Sequence, residues 1–193
     1  MRLSPLQPGH APSLLQAARD GALWELAYTG VPGPGLASVD AWIDAALRGQ
    51  AAGVMQPYAV ETAGGIAGST RYYDIDRDVP TLAIGHTWYA ASAQRTHVNT
   101  ACKRLLLGHA FEGLGMQAVY FHTSHLNLRS QAAIERLGAR RDGVIRRHRR
   151  HRDGSLRDTV AYSIIDDEWP AIRARLDTRL HVTAPIASHG GTP

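Results

Sequence analysis

The stretch from Ile84 to Gly138 holds most of the side chains in this chain that could do chemistry. Its run Ala93-Gln94-Arg95-Thr96-His97-Val98-Asn99 falls where a strand pattern gives way to a helix pattern. The first turn of a helix offers backbone N–H groups without intrahelical partners and the positive end of the helix dipole. Such a run is a natural seat for an anion, and Arg95 could add direct charge to a phosphate. A solvated loop arginine is the competing reading of Arg95. His86 and His122 lie on strand patterns on either side of the run, and an imidazole has the ordinary pKa to accept a proton at neutral pH. A lone strand histidine is more often structural, and Glu25 and Glu61 are further candidate bases. Asn127 stands at a helix start, where its plain role is an N-cap. Ser130 lies one turn on, with a hydroxyl able to give up a proton. Cys102 could be a nucleophile, but helical spacing sets it on a buried stripe, where a thiol packs as an inert hydrophobe.

These residues need a scaffold, and the pattern of the chain supplies one. The 193 residues are 44% apolar and 20% charged, a globular composition large enough for a sizeable core. Leu3–Leu6 reads as a strand, Ala11–Arg19 as an amphipathic helix and Leu23–Tyr28 as a second, short helix. Gly30–Gly35 is a loop. Ser38 opens a helix to Leu47 with Val39, Trp42, Ile43, Ala46 and Leu47 on its apolar face. Tyr58–Thr62 and Ile66–Tyr73 form a hairpin about Gly64-Gly65, followed by a strand over Thr81–Tyr89. The helix after the polar run spans Val98–Leu114, with Val98, Cys102, Leu105, Leu106 and Ala110 facing inward. Ala118–Thr123 is an apolar strand. A helix runs from Asn127 to its glycine stop at Gly138. Val144–Arg152 and Leu156–Ile164 are strands joined at Asp153-Gly154, and Asp166–Leu180 is a last helix. The expected class is therefore α/β (α+β): a mixed, mostly antiparallel sheet of about seven strands with helices on both faces. One domain is expected over residues 1–180. Residues 181–193 lack periodicity and are expected to be disordered.

Composition also excludes several functions. There is no apolar run near the length that crosses a bilayer, and the N-terminal residues carry no apolar core of a secretory signal, so no membrane role is expected. A single cysteine, Cys102, excludes an internal disulfide and fits a reducing cytoplasm. The formal charge is +4, and the cations are almost all arginine, Lys103 being the only lysine. A GC-rich coding sequence accounts for that excess, and a preference for anionic partners competes with it. The run Arg146-Arg147-His148-Arg149-Arg150-His151-Arg152 has the charge of a nucleic-acid patch. In a strand those charges alternate between faces, and no aromatic residue is interleaved for base stacking, so nucleic acid is not the expected partner. A solvated hairpin beside a cleft is the plainer reading, and attraction of an acidic peptide or another anionic acceptor the sharper one. The ten histidines include no HExxH spacing, no CxxC spacing occurs, and His148 and His151 on one strand would face opposite sides, so no metal is expected.

Four segments in this order resemble the GNAT superfamily of acyl-CoA N-acyltransferases, in its RimJ/RimL-like branch: Ile84-Gly85-His86-Thr87-Trp88, the Gln94–Asn99 run, Asn127-Leu128-Arg129-Ser130, and Leu137-Gly138-Ala139 before Gly143-Val144-Ile145-Arg146. The resemblance extends from about Leu3 to Leu180 and includes Asp158–Ser163 and Glu168-Trp169-Pro170. It implies acetyl-CoA as co-substrate and an amine acceptor, a protein N-terminus or a small molecule, attacked directly in a ternary complex. It further implies that Gln94, Arg95, Thr96, His97, Val98, Asn99 and Thr100 hold the pyrophosphate. The strand end Trp88-Tyr89-Ala90 would splay from Ala118–Thr123 and pair with pantetheine, with an N–H near Tyr89 polarising the thioester carbonyl. Asn127 would bind the pantetheine arm and Ser130 would protonate the sulfur. The resemblance names no base here, so His86 stands as the candidate offered by the residues alone, and an amine already deprotonated would need none. Ala83 stands where related enzymes often have a glutamate. His97 and Asn99 stand where glycines are usual, which leaves open a non-catalytic module with an altered loop and a basic hairpin for an anionic partner. A homodimer is compatible with the same resemblance. A pocket closed over by the Gly30–Gly35 loop would favour a small amine, and an open groove a peptide.

Overall fold

The structure, a computed structural model, describes residues 1–183. Its strands are β1 (Arg2–Pro5), β2 (Met55–Thr62), β3 (Gly65–Asp76), β4 (Thr81–Tyr89), β5 (Ala118–Ser124), β6 (Arg140–Arg150) and β7 (Leu156–Ile165). Its helices are α1 (Ala11–Arg19), α2 (Leu36–Ala51), α3 (Val98–Gly108), α4 (Leu128–Leu137) and α5 (Trp169–Thr183). The strands form one seven-stranded sheet in the order β1-β2-β3-β4-β5-β7-β6. All neighbours are antiparallel except β4 and β5. Each face of the sheet must be covered to hide its apolar residues. Leu14, Val39 and Ile43 of α1 and α2 pack on Ala59, Trp88 and Ala90. On the other face Cys102, Leu106, Ile134, Ile172 and Leu176 of α3, α4 and α5 pack on Tyr72, Phe121, Tyr162 and Ile164. The Tyr72 hydroxyl donates to the Leu106 carbonyl at 2.6 Å, tying β3 to the last turn of α3.

Two details shape β4. At its C-terminal half Ser69 pairs with Trp88 and Arg71 with Gly85, so Thr70 alone faces both His86 and Thr87. This is a β-bulge, and His86 adopts a left-handed φ of 50° within it. Beyond it β3 and β4 approach so closely that a Cβ on Gly68 would collide with the Trp88 carbonyl oxygen. On its other edge β4 pairs with β5 only at Thr81, Leu82 and Ala83. β5 continues against β7 to Ser124, so the two parallel strands part after Ala83.

Several expected elements are corrected. Leu23–Tyr28 is not a helix: one 3-10 turn covers Leu23–Glu25, entered through Ala22 at φ 48° and ended by extended Leu26. α2 starts at Leu36, because Ser38 Oγ accepts the Gly33 N–H from the preceding loop and so does not cap the helix. The helix over Val98–Leu114 ends as α-helix at Gly108, and a π-turn covers His109–Gly113. β2 begins at Met55, running through Pro57, whose carbonyl accepts from Leu6 N–H. The β6–β7 connection is longer than Asp153-Gly154: β6 stops at Arg150, and Gly154 N–H donates to His151 O with Gly154 at φ 83°. The alternation expected of the basic run fails too, because Arg146–His148 bulge out between Ile145 and Arg149 and Arg147 N–H donates to Asp158 Oδ1 at 2.7 Å. A 3-10 turn over Asp166–Glu168 precedes α5, which continues through Thr183 into the stretch expected to lack order. Residues 184–193 of that stretch lie outside the described residues.

The Gly68 contact gives a test of the sheet. Gly68→Ala forces a methyl group into backbone, and we expect it to destabilise the fold by about 3 kcal/mol or more. Thermal unfolding followed by circular dichroism measures this, and a melting temperature equal to that of the parent would contradict the packing described.

Candidate active site

Where β4 and β5 part, a cleft of about 1010 Å³ opens between them. Its walls include the bulged half of β4, the end of β5, the first turns of α3 and α4, and the basic turn after β6. Ala90 N–H donates to Ala67 O of β3 at 2.8 Å. Successive N–H groups of a strand point to opposite edges, so the Tyr89 N–H turns toward the edge that β5 has vacated.

The polar run closes one end of this cleft. Ala91–Ala93 make a 3-10 turn, and Arg95 takes a left-handed φ of 60°. His97, at φ −68° and ψ −12°, directly precedes α3, and Asn99 lies within the helix. Neither position therefore needs the positive φ that favours glycine. Thr96 Oγ1 accepts the Val98 N–H at 3.2 Å, which spends one helix-terminal donor inside the protein. The first intrahelical bond is Ala101 N–H to His97 O, so Asn99 and Thr100 N–H lack helical partners. The Asn99 side chain turns to the sheet and accepts from the Tyr89 hydroxyl at 3.3 Å. Gln94 is a strut: its Nε2 donates to Tyr89 O at 2.9 Å, and its Oε1 accepts from Arg129 Nη2 at 2.9 Å. It thereby joins strand end, loop and α4. Asn127 Oδ1 caps α4 by accepting the Ser130 N–H at 3.1 Å, and Gly138 at φ 102° ends that helix. Trp88, Asn127 and the half-buried Ser130 all line the cleft.

The opposite wall holds the imidazoles. The Tyr73 hydroxyl bonds His122 Nδ1 at 3.2 Å, and the Tyr73 ring meets His86 edge-on at 5.2 Å. Gly85 makes room for that ring, since a Cβ there would lie 2.7 Å from Tyr73 Cε1. Water reaches His86 from the cleft, yet protein crowds the ring on its other sides. That desolvation, with Arg71, Arg149 and Arg157 nearby, lowers its pKa to about 4. His122 is lowered for the same leading reason. Cys102 is fully buried, and burial raises its thiol.

Residue spacing does not single out Lys103. It is 5% exposed, lines the cleft, and donates to Thr87 Oγ1 at 2.9 Å. No carboxylate pairs with it among the described residues, and burial lowers its pKa. A signal is present all the same: Lys103 is four residues after Asn99 and so shares its helix face. Tyr73 and Arg129 are equally silent in the sequence, because their partners are remote along the chain. Glu61 instead pairs with Arg2 at 2.7 Å, and Glu25 sits in the turn after α1. Among the described residues no group of three or more His, Cys, Asp or Glu could hold a metal ion, and no helix is long and apolar enough to cross a membrane.

His86 yields a titration test. Its folded pKa lies below the ordinary 6.5, so the unfolded chain binds more protons at this site between 6.5 and about 4. The stability it contributes is full above 6.5 and is lost as pH falls through about 4. NMR of the ring carbons should give a midpoint well below free imidazole, and a midpoint at or above 6.5 would contradict the crowding described.

Comparison with known proteins agrees with this geometry. The Acetyltransferase (GNAT) domain family matches residues 1–140. No curated protein matches the chain. A candidate acetyltransferase from T. thermophilus is 33% identical, with a TM-score of 0.83 over 93% of each chain. A GCN5-related N-acetyltransferase from Brucella melitensis is 27% identical, with a TM-score of 0.85 over 95% of this chain and 82% of that one. Mycobacterium smegmatis RimJ, solved in complex with CoA-disulfide, is 19% identical and shares the fold at a TM-score of 0.79 over 93% of this chain and 88% of that one. Family match, sheet order and parted strands agree: the chain belongs to the GNAT family of acetyltransferases.

Proposed function

We propose that this chain is an acetyl-CoA-dependent N-acetyltransferase that passes the acetyl group directly to an amine in a ternary complex. The observation that carries the reading is the open edge of β4 past Ala83, which lines a cleft ending on the first turn of α3. The M. smegmatis RimJ complex with CoA-disulfide supports it from a protein of the same fold. A single domain over residues 1–180, working in the cytoplasm, suits the continuous sheet and the lone buried thiol.

The residues present fit the co-substrate. Acetyl-CoA supplies the activated acetyl thioester. Asn99 and Thr100 N–H groups hold the pyrophosphate at the positive end of α3, and Arg95 adds charge from the loop. Thr96, His97 and Val98 shape the turn around it, with Gln94 as the strut behind. The edge Trp88-Tyr89-Ala90 and the Asn127 side-chain amide hold the pantetheine arm, and the Tyr89 N–H polarises the thioester oxygen as it gains charge. Ser130 gives its hydroxyl proton to the departing sulfur. His86 is neutral at pH 7 and open to a proton, though its low pKa makes it a weak base. It accepts from the amine nitrogen once the new N–C bond has made that nitrogen more acidic.

Calorimetric titration with acetyl-CoA tests this reading. Micromolar binding is expected, weakened about tenfold by Asn127→Ala or Arg95→Glu. Ser130→Ala should lower kcat about a hundredfold while leaving acetyl-CoA binding intact. No detectable binding by the parent protein would sink the proposal.

A further inference from the structure

Two arginines beside the basic turn, Arg149 at the end of β6 and Arg157 at the start of β7, line the cleft without a carboxylate partner among the described residues. Arg149 and Arg157 are direct cross-strand partners on β6 and β7. Like charges opposed in that way repel. Neither forms an ion pair among the described residues, where the carboxylates that pair are Glu61, Asp177 and Glu112. Arg157 is half-buried, and its Nε is buried without a hydrogen-bond partner. Both arginines line the cleft together with Tyr73, His86 and His122. Their charge reaches all three rings, as does that of His148 at His122. Asp74 is the carboxylate whose field reaches Tyr73 and His122, and it pairs with neither arginine. An anion between the two guanidinium forks would remove the repulsion and take up the vacant donor.

The roof of the cleft bears on the size of that anion's carrier. Arg152 N–H donates to Ala27 O at 3.2 Å, and its Nη1 donates to Trp24 O at 3.1 Å and Val31 O at 3.2 Å. The turn after β6 is thus tied across to the segment after α1. Its other side is pinned by buried His151, which bonds Ser124 Oγ at 2.9 Å and Ser155 Oγ at 2.9 Å. The Arg152 bonds cross from the turn to the segment after α1, both of which line the cleft, and so narrow it for an extended polypeptide.

We propose that the acceptor is a small amine carrying an anionic group, of the amino-acid type, and that Arg149 and Arg157 hold that group beside His86. This rests on the acetyltransferase reading and names its acceptor class. The nitrogen then meets the thioester near Tyr89 while the anion stays against the sheet edge.

The experiment uses the full chain with acetyl-CoA and three acceptor panels: free amino acids, the same amino acids as carboxamides, and phosphate-bearing primary amines. Thiol release and calorimetric binding to the CoA-loaded protein are both read. Free acids should turn over and bind better than their amides. Arg157→Gln and Arg149→Gln should each raise KM for the acid about tenfold or more, with KM for acetyl-CoA unchanged. Preference for the phosphate panel, also lost in both variants, would keep the anion site and assign it to phosphate. Amides used or bound as well as acids, or an acid-to-amide ratio unchanged in the variants, would overturn the proposal. So would a peptide N-terminus used better than every small acceptor. Both variants should melt no lower than the parent, because each removes a like-charge opposition; a fall of several degrees would mark the arginines as structural and also overturn it. Absence of acetyl-CoA binding would instead sink the underlying reading, and acid-over-amide binding to the unloaded protein would still decide the anion site.

Discussion

The candidate site in this fold depends on one broken pairing. β4 keeps β3 along its length and loses β5 after Ala83. A central strand with an unpaired edge is costly, since its peptide groups lose their protein partners. The bulge at His86 and Thr87 helps to produce it by adding twist to β4 where β5 leaves. Side chains then fill both sides of the opening: Lys103 holds Thr87 from the α3 face, and Tyr73 stands between His86 and His122 on the other. The open edge is therefore built into the sheet, with Gly68 and Gly85 permitting the two close approaches it needs.

A second theme is cations kept without anions. Arg71 is buried, with Nε and Nη2 unpartnered; it lies 4.3 Å over the Trp42 ring, and burial lowers its pKa to about 10. Lys103 has a hydroxyl as its hydrogen-bond partner, and Arg149 faces Arg157. Arg71 and Lys103 are buried, and desolvated positive charge destabilises a fold by itself. Positive charge around the cleft raises the potential there, adds to the desolvation that lowers the pKa of His86 and His122, and favours a bound anion.

The local parts of this design are legible in the sequence. Thr81–Tyr89 is readable at both ends, and α4 is bounded correctly because Asn127 and Gly138 are residue types whose backbone preferences fix helix ends. The polar run falls at the start of α3 for the same reason. What is not legible depends on partners distant in the chain. Ser38 looks like a cap, yet its hydroxyl is spent on Gly33. The basic run looks like an alternating strand, but a bulge against Asp158 resets its register and sets Arg149 opposite Arg157. Lys103 looks like one charge on a helix, because nothing local says that its face turns to β4.

The composition of the cations carries a further consequence. Of the 21 Lys and Arg residues one is a lysine, and it is buried against Thr87. The protein's exposed positive charge is thus guanidinium, which stays protonated and does not attack thioesters at neutral pH. Acyl thioesters in solution slowly cap exposed lysine amines. This surface offers no side-chain amine to cap, so its charge, and with it the field over the cleft, does not erode as the protein works.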